Sequence, residues 1–175
     1  MFEQDWKYLT EHKAVRTISL DNSLVHQGRG FSHHNHHTLA TASTLNYLII
    51  TPPTIDIHFR AWSVKSDQGP VTIYVFEDTV TSASGTPEPV GNNNRQSNIT
   101  NQLTMFTTPT ITSDGNQMLK DYIGITGGGA HVTVGESASD DTEWLLKRNT
   151  KYMFRVVNTS GATANLVHTF NWFEI

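Results

Sequence analysis

The chain has 175 residues, 37% of them hydrophobic and only 16% charged, with a formal net charge of −4 and no cysteine. That length suits one domain with its own core. The negative balance excludes a basic field for nucleic acid, and the missing thiols exclude disulfides and thiolate metal sites.

The opening Met1-Phe2-Glu3-Gln4-Asp5 has no basic stretch leading into an apolar run, so no secretory signal is expected. The longest apolar run, Tyr47-Leu48-Ile49-Ile50, falls far short of the roughly 20 residues of a membrane span. Only FEQDWKYLTEHK has helical spacing, with Phe2, Trp6 and Leu9 at i, i+4 and i+7. So short a helix is marginal by itself. Residues 1–13 are therefore expected to be an arm or short helix that docks on the domain or on a neighbour. Residues 14–175 are expected to form a single β-sandwich domain.

From Ala14 onward the period is two, and residues 15–20 are the first candidate strand. If residues 31–38 of the histidine run FSHHNHHTLA form a strand, His34 and His36 face one side and His33 and His37 the other. A strand over 43–50 ends at Thr51-Pro52-Pro53. In TIDIHFRAWSVK, Ile55, Ile57, Phe59 and Ala61 share one face, and Asp56, His58, Arg60 and Trp62 the other. Gln68-Gly69-Pro70 then turns the chain into VTIYVFED.

Residues 82–102 are long, polar and nearly free of apolar side chains, as a surface excursion or an interaction loop would be. Within them Asn92, Asn93, Asn94 and Arg95 offer amides and a guanidinium suited to recognising a backbone. Shorter candidate strands follow at 109–112, 119–125, 131–134 and 144–147. KYMFRVVN and ANLVHTFNWFEI alternate again, joined at Asn158-Thr159-Ser160-Gly161 as a predicted hairpin. In the last segment Leu166, His168, Phe170 and Trp172 share a face. Many short strands without helix–strand alternation predict an all-β antiparallel β-sandwich, a jelly roll in preference to other sandwiches.

A His-x-His pair on one strand face supplies two ligands, where zinc usually takes four, or three and a water. Gly28 followed by His34-Asn35-His36 fits the opening of the first motif of cupins, a family of metal-binding jelly rolls. The glutamate that should come next is missing, since Ala40 and Thr41 stand there, and no second motif follows. Two readings remain. His34 and His36 complete a metal shell across a three-fold axis, or the cluster is a solvated or interface group that makes assembly pH-sensitive.

The other candidates lack their defining residues. Gly135-Glu136-Ser137-Ala138-Ser139 lacks the last glycine of a nucleophile elbow. Gly127-Gly128-Gly129 lacks the lysine of a phosphate loop. Asp140-Asp141-Thr142-Glu143 lacks calcium-loop spacing. No residue is assigned a catalytic role, and no cofactor is expected unless the histidines hold a metal.

The closing block EWLLKRNTKYMFRVVNTSGATANLVHTFNWFE carries Glu143-Trp144, Leu146-Lys147, Asn149-Thr150, Tyr152, Arg155 and Trp172-Phe173-Glu174. Upstream stand Val71-Thr72-Ile73-Tyr74 with Glu77, Gly85-Thr86-Pro87, Asn94-Arg95-x-Ser97 and Thr112-Ser113-Asp114-Gly115. These strand-end and turn signatures, spread over most of residues 28–174, resemble small capsid decoration or cement proteins of tailed bacteriophages. The first 25 residues and the HHNHH run depart from that pattern.

The resemblance implies a non-enzymatic virion structural protein, made in the cytoplasm of the infected bacterium. It would decorate and stabilise the capsid as a homotrimer on the major capsid protein, with no nucleic-acid or membrane partner. Contacts would come from Phe2 and Trp6 of the arm or from Asn92, Asn93, Asn94 and Arg95. Two other classes fit the strand pattern. One is a carbohydrate- or receptor-binding jelly-roll module of a virion fibre, with Trp62 as the stacking residue. The other is a metal-dependent jelly-roll enzyme built on the histidines.

Overall fold

Residues 19–123 and 143–175 are described by a computed structural model. The residues Phe2 and Trp6, the proposed boundary between residues 13 and 14, and the candidate strand 131–134 lie outside them.

Of the candidate strand 15–20 only Ser19 and Leu20 are described, and Leu20 opens helix α1 (Leu20–His26) instead of ending a strand. Local capping decides the outcome. The Ser19 hydroxyl accepts from the Asn22 amide at 3.2 Å, satisfying a free donor of the first turn. At the other end Gly28 takes φ +73°. The amides of Gly28 and Arg29 then donate to the Val25 and Leu24 carbonyls at 2.9 Å, the double closure that a left-handed residue after a helix permits.

The strands follow as β1 (Gly30–Leu39), β2 (Thr44–Ile50), β3 (Ile57–Ser66), β4 (Val71–Glu77), β5 (Val80–Ala83), β6 (Thr86–Pro87), β7 (Gly91–Asn92) and β8 (Thr104–Thr107). Then come β9 (Thr110–Ser113), β10 (Asn116–Ile123), β11 (Trp144–Leu146), β12 (Lys151–Asn158) and β13 (Ala164–Glu174). One sheet has the order β11-β3-β13-β1-β7 and the other β10-β4-β12-β2-β8-β6, with β5 and β9 as a separate pair. Every pairing among the described residues is antiparallel. The chain is all-β and folded as an antiparallel sandwich. Its core lies between the two large sheets, where Tyr47, Phe154, Phe170 and Trp172 are among the largest fully buried side chains.

Two local expectations are overturned. Strict alternation puts Trp62 opposite Phe59. The β3–β13 register, however, pairs Phe59 with Trp172 and Ala61 with Asn171, leaving Arg60 as an extra residue. That bulge flips the parity, so Phe59 and Trp62 both face the core, each 4% exposed. The predicted hairpin of β12 and β13 does not form either, because the two strands belong to different sheets. Asn158, wholly buried, holds the crossing. Its amide donates to the carbonyls of Leu39 and Ala162 at 2.8 and 2.7 Å, and its oxygen accepts from the Ser160 amide at 2.9 Å. A buried carboxamide satisfied by two neighbouring turns fixes a corner that a free loop would leave open.

The β9–β10 turn gives a stability test. Gly115 has φ +88°, and a Cβ there would lie 2.2 Å from the Glu77 carbonyl oxygen. Gly115→Ala is expected to cost about 2 kcal/mol through the left-handed backbone and the backbone clash. Urea unfolding checks this, and an unchanged midpoint would mean that the turn relaxes freely.

Candidate functional site

The histidine run lies entirely within β1, antiparallel to β13, with His33 opposite Phe170, His34 opposite Thr169, Asn35 opposite His168 and His36 opposite Val167. His34 and His36 are on the exposed outer face, while His33 is 2% exposed and His37 half-buried on the inner one. The strand thus divides its imidazoles between solvent and core.

The inner set is joined by residues from elsewhere in the chain. The His33 Nδ1 lies 2.7 Å from the Pro89 carbonyl oxygen, which can only accept, so Nδ1 carries the proton. That leaves Nε2 facing the Glu88 carboxylate at 3.6 Å. Glu88 also accepts from the Asn35 amide at 3.0 Å and the Thr107 hydroxyl at 2.7 Å. The His37 Nε2 and the Tyr47 hydroxyl are 2.6 Å apart.

His168, from β13, is fully buried, and neither ring nitrogen has a hydrogen-bond partner among the described residues. Burial pulls its pKa down to about 3, helped by His37 and His33. Burial also lowers His37, against the charge of Glu88, and raises the Tyr47 phenol, with Glu88 adding to the rise. Tyr47 and His168 are 0% exposed. Only the partly exposed His37 and Glu88 bring this group near solvent among the described residues. It is a polar portion of the core.

On the outer face, the His34 Nδ1 lies 3.2 Å from the Thr169 hydroxyl. Among the described residues, no group of three or more histidines, aspartates and glutamates is placed to hold a metal. Among the described residues His34 and His36 therefore offer two imidazoles and no third ligand.

The polar stretch after β5 is ordered by its own asparagines. The Asn92 amide donates to the Gly28 carbonyl at 2.8 Å and to that of Ile99 at 3.0 Å. The Asn94 amide donates to the His26 carbonyl at 2.9 Å, and the Asn93 oxygen accepts from the Ser32 hydroxyl at 2.7 Å. These amides anchor the loop to α1 and β1, and Arg95 is left exposed beside them. The sequence identifies the donors and acceptors but not that the chain itself uses them.

A depression of about 290 Å³ beside α1 is lined by Asp21, Arg60, Ala61, Asn93, Asn171, Trp172 and Phe173. Its guanidinium is occupied, 2.8 Å from Asp21 and 3.6 Å from Glu143. Trp62, the stacking residue of the sugar-binding reading, packs in the core against Phe154 and Phe170 at ring distances of 5.0 and 5.8 Å. It is closed to a glycan.

No protein-family model matches the chain, and no curated protein matches it. The cluster of Tyr47, Glu88 and His168 around the inner histidines was not found by sequence reasoning. The one available signal was His168 standing between Leu166 and Phe170 on an apolar face.

Proposed function

We propose that this chain is a non-enzymatic structural protein of a phage virion, which decorates the capsid and stabilises it by binding the outer lattice as a homotrimer on the major capsid protein. The observation that carries the reading is the outer face of the first sheet. There β1 presents Ser32, His34, His36 and Thr38, β13 presents Asn165, Val167, Thr169 and Asn171, and β3 adds Ser63 and Lys65.

Short polar side chains on a sheet lose little rotamer entropy when covered. Such a face suits a partner with repeating geometry, because weak contacts made by several linked copies multiply into tight attachment. We also infer that the wrapping is a jelly roll. The order β1-β13-β3-β11 in one sheet is matched by β2-β12-β4-β10 in the other, so the chain alternates between the layers from β1 to β4 and again from β10 to β13. The resemblance of the closing block supports the same reading.

The test is to mix purified protein with empty shells of the parent virus and image them. Ordered added density on the lattice is expected, and bare shells would overturn the proposal. Light scattering should give three times the chain mass, and a monomer would remove the trimer. Val167 is exposed and stands between His36 and Lys65 in the register. Val167→Arg should weaken shell binding about tenfold or more, roughly 1.4 kcal/mol. The urea midpoint should shift by no more than about 0.5 kcal/mol, as for an ordinary surface change. Unchanged binding would place the contact elsewhere.

A further inference from the structure

Between the sheets, the rings of His37 and His168 stand 5.8 Å apart. Tyr47 of β2 completes a triangle, 5.7 Å from His37 and 5.3 Å from His168. The surrounding elements define what a charge here would meet. From β1 come His33 and Asn35, and from β3 comes Val64, directly opposite His168. The β6–β7 connection brings Glu88, whose charge acts on His37, and the exposed His36 acts on His37 from the outer side. Glu88 is already committed to Asn35 and Thr107, with His33 beside it.

We propose that the His37–His168 pair is an acid-sensitive latch: as neutral imidazoles the two rings close the sandwich, and when they take up protons the sheets part at β1, β13 and β2. The folded molecule has no place for the charge. His168 meets no acceptor among the described residues, and a proton on each ring would set two like charges side by side, the one on His168 away from water. In the unfolded chain both imidazoles are hydrated and titrate at about 6.5.

The sign follows directly. Below pH 6.5 the unfolded state binds more protons, so stability is complete above 6.5 and falls as the pH drops toward the folded value of about 3 for His168. Each such histidine shifts the folding equilibrium about tenfold per pH unit over that window. Asp56, Glu77 and Asp114 are held below their usual range by Arg148, Lys147 and Arg155 respectively. Their contributions are lost only in more acid solution, below about pH 4. The range from 6.5 to 5.0 therefore isolates the imidazoles.

Urea unfolding of the full chain from pH 7.5 to 5.0 tests the latch. The folding constant should fall about thirtyfold between 7.5 and 5.0 from His168 alone, and further with His37. In His168→Phe the pH slope should decrease by one proton. A control with His34→Gln on the outer face should keep the full slope. Should His168→Phe fail to fold, imidazole carbon NMR of the unaltered protein decides. The signals of His37 and His168 should stay neutral until the whole molecule unfolds. A folding constant flat across the range, a slope unchanged in His168→Phe, or either ring titrating near pH 6.5 in the folded protein would overturn the proposal.

Discussion

Replacing Glu174 with alanine is expected to cost about 4 kcal/mol of folding free energy, because it leaves two buried donors and a part-buried one with nothing to bond. The carboxylate is 4% exposed near the end of β13. It accepts from the Gln102 amide at 2.8 Å, the Leu103 amide at 3.0 Å and the Trp172 indole at 3.2 Å. Through these bonds the C-terminal strand holds the start of β8 and the polar stretch before it. Water cannot readily substitute, since Leu103 is 0% exposed and belongs to the main core. Urea unfolding measures the cost. Hydrogen exchange at Gln102 and Leu103 should accelerate before that of the central strands. A loss below about 1 kcal/mol would mean that other groups take over the donors.

Phe170→Ala should cost about 3–5 kcal/mol, the range for deleting a buried aromatic ring. Phe170 stands where the sheets face each other, with ring distances of 5.2 Å to Tyr47, 5.4 Å to Phe154 and 6.2 Å to Phe59. Trp62 stacks on it at an interplanar angle of 10°. Collapse around an alanine would need rings from both layers to move together, so most of the cavity should persist. The expected result is a large drop in the urea midpoint with a weakened near-ultraviolet dichroism band from Trp62. A cost under about 1.5 kcal/mol would show that the core refills the space.

The all-β class was legible because the long strands carry their alternation openly. In β12, Tyr152, Phe154 and Val156 point inward, and in β13 so do Leu166, Phe170 and Trp172. What stayed hidden depends on partners distant in sequence. The bulge at Arg60 is invisible in TIDIHFRAWSVK, since only the pairing with Asn171 and Trp172 reveals the extra residue. Asn158-Thr159-Ser160-Gly161 has hairpin chemistry, yet the carbonyls that hold Asn158 include Leu39, 119 positions away.

The helix at Leu20–His26 was obscured for another reason. Its caps, Ser19 and Gly28, are local signals, but seven residues with one buried side chain, Leu24, give too little period to read. The histidine run was half legible. Its division into two faces follows from strand geometry. That the inner half is core required Tyr47, Glu88 and His168, contributed by β2, a connection and β13.

One margin of the sandwich sets a rule for how copies can meet. There the sheets end in β7 and β6, each two residues long, and β6 includes Pro87, which has no amide hydrogen to offer. Stubs of that length give an incoming strand almost nothing to zip onto. Among the described residues, lateral fusion into a continuous ribbon is blocked where these two stubs stand, so a neighbour approaching them must be recognised through side chains and not through the main-chain ladder.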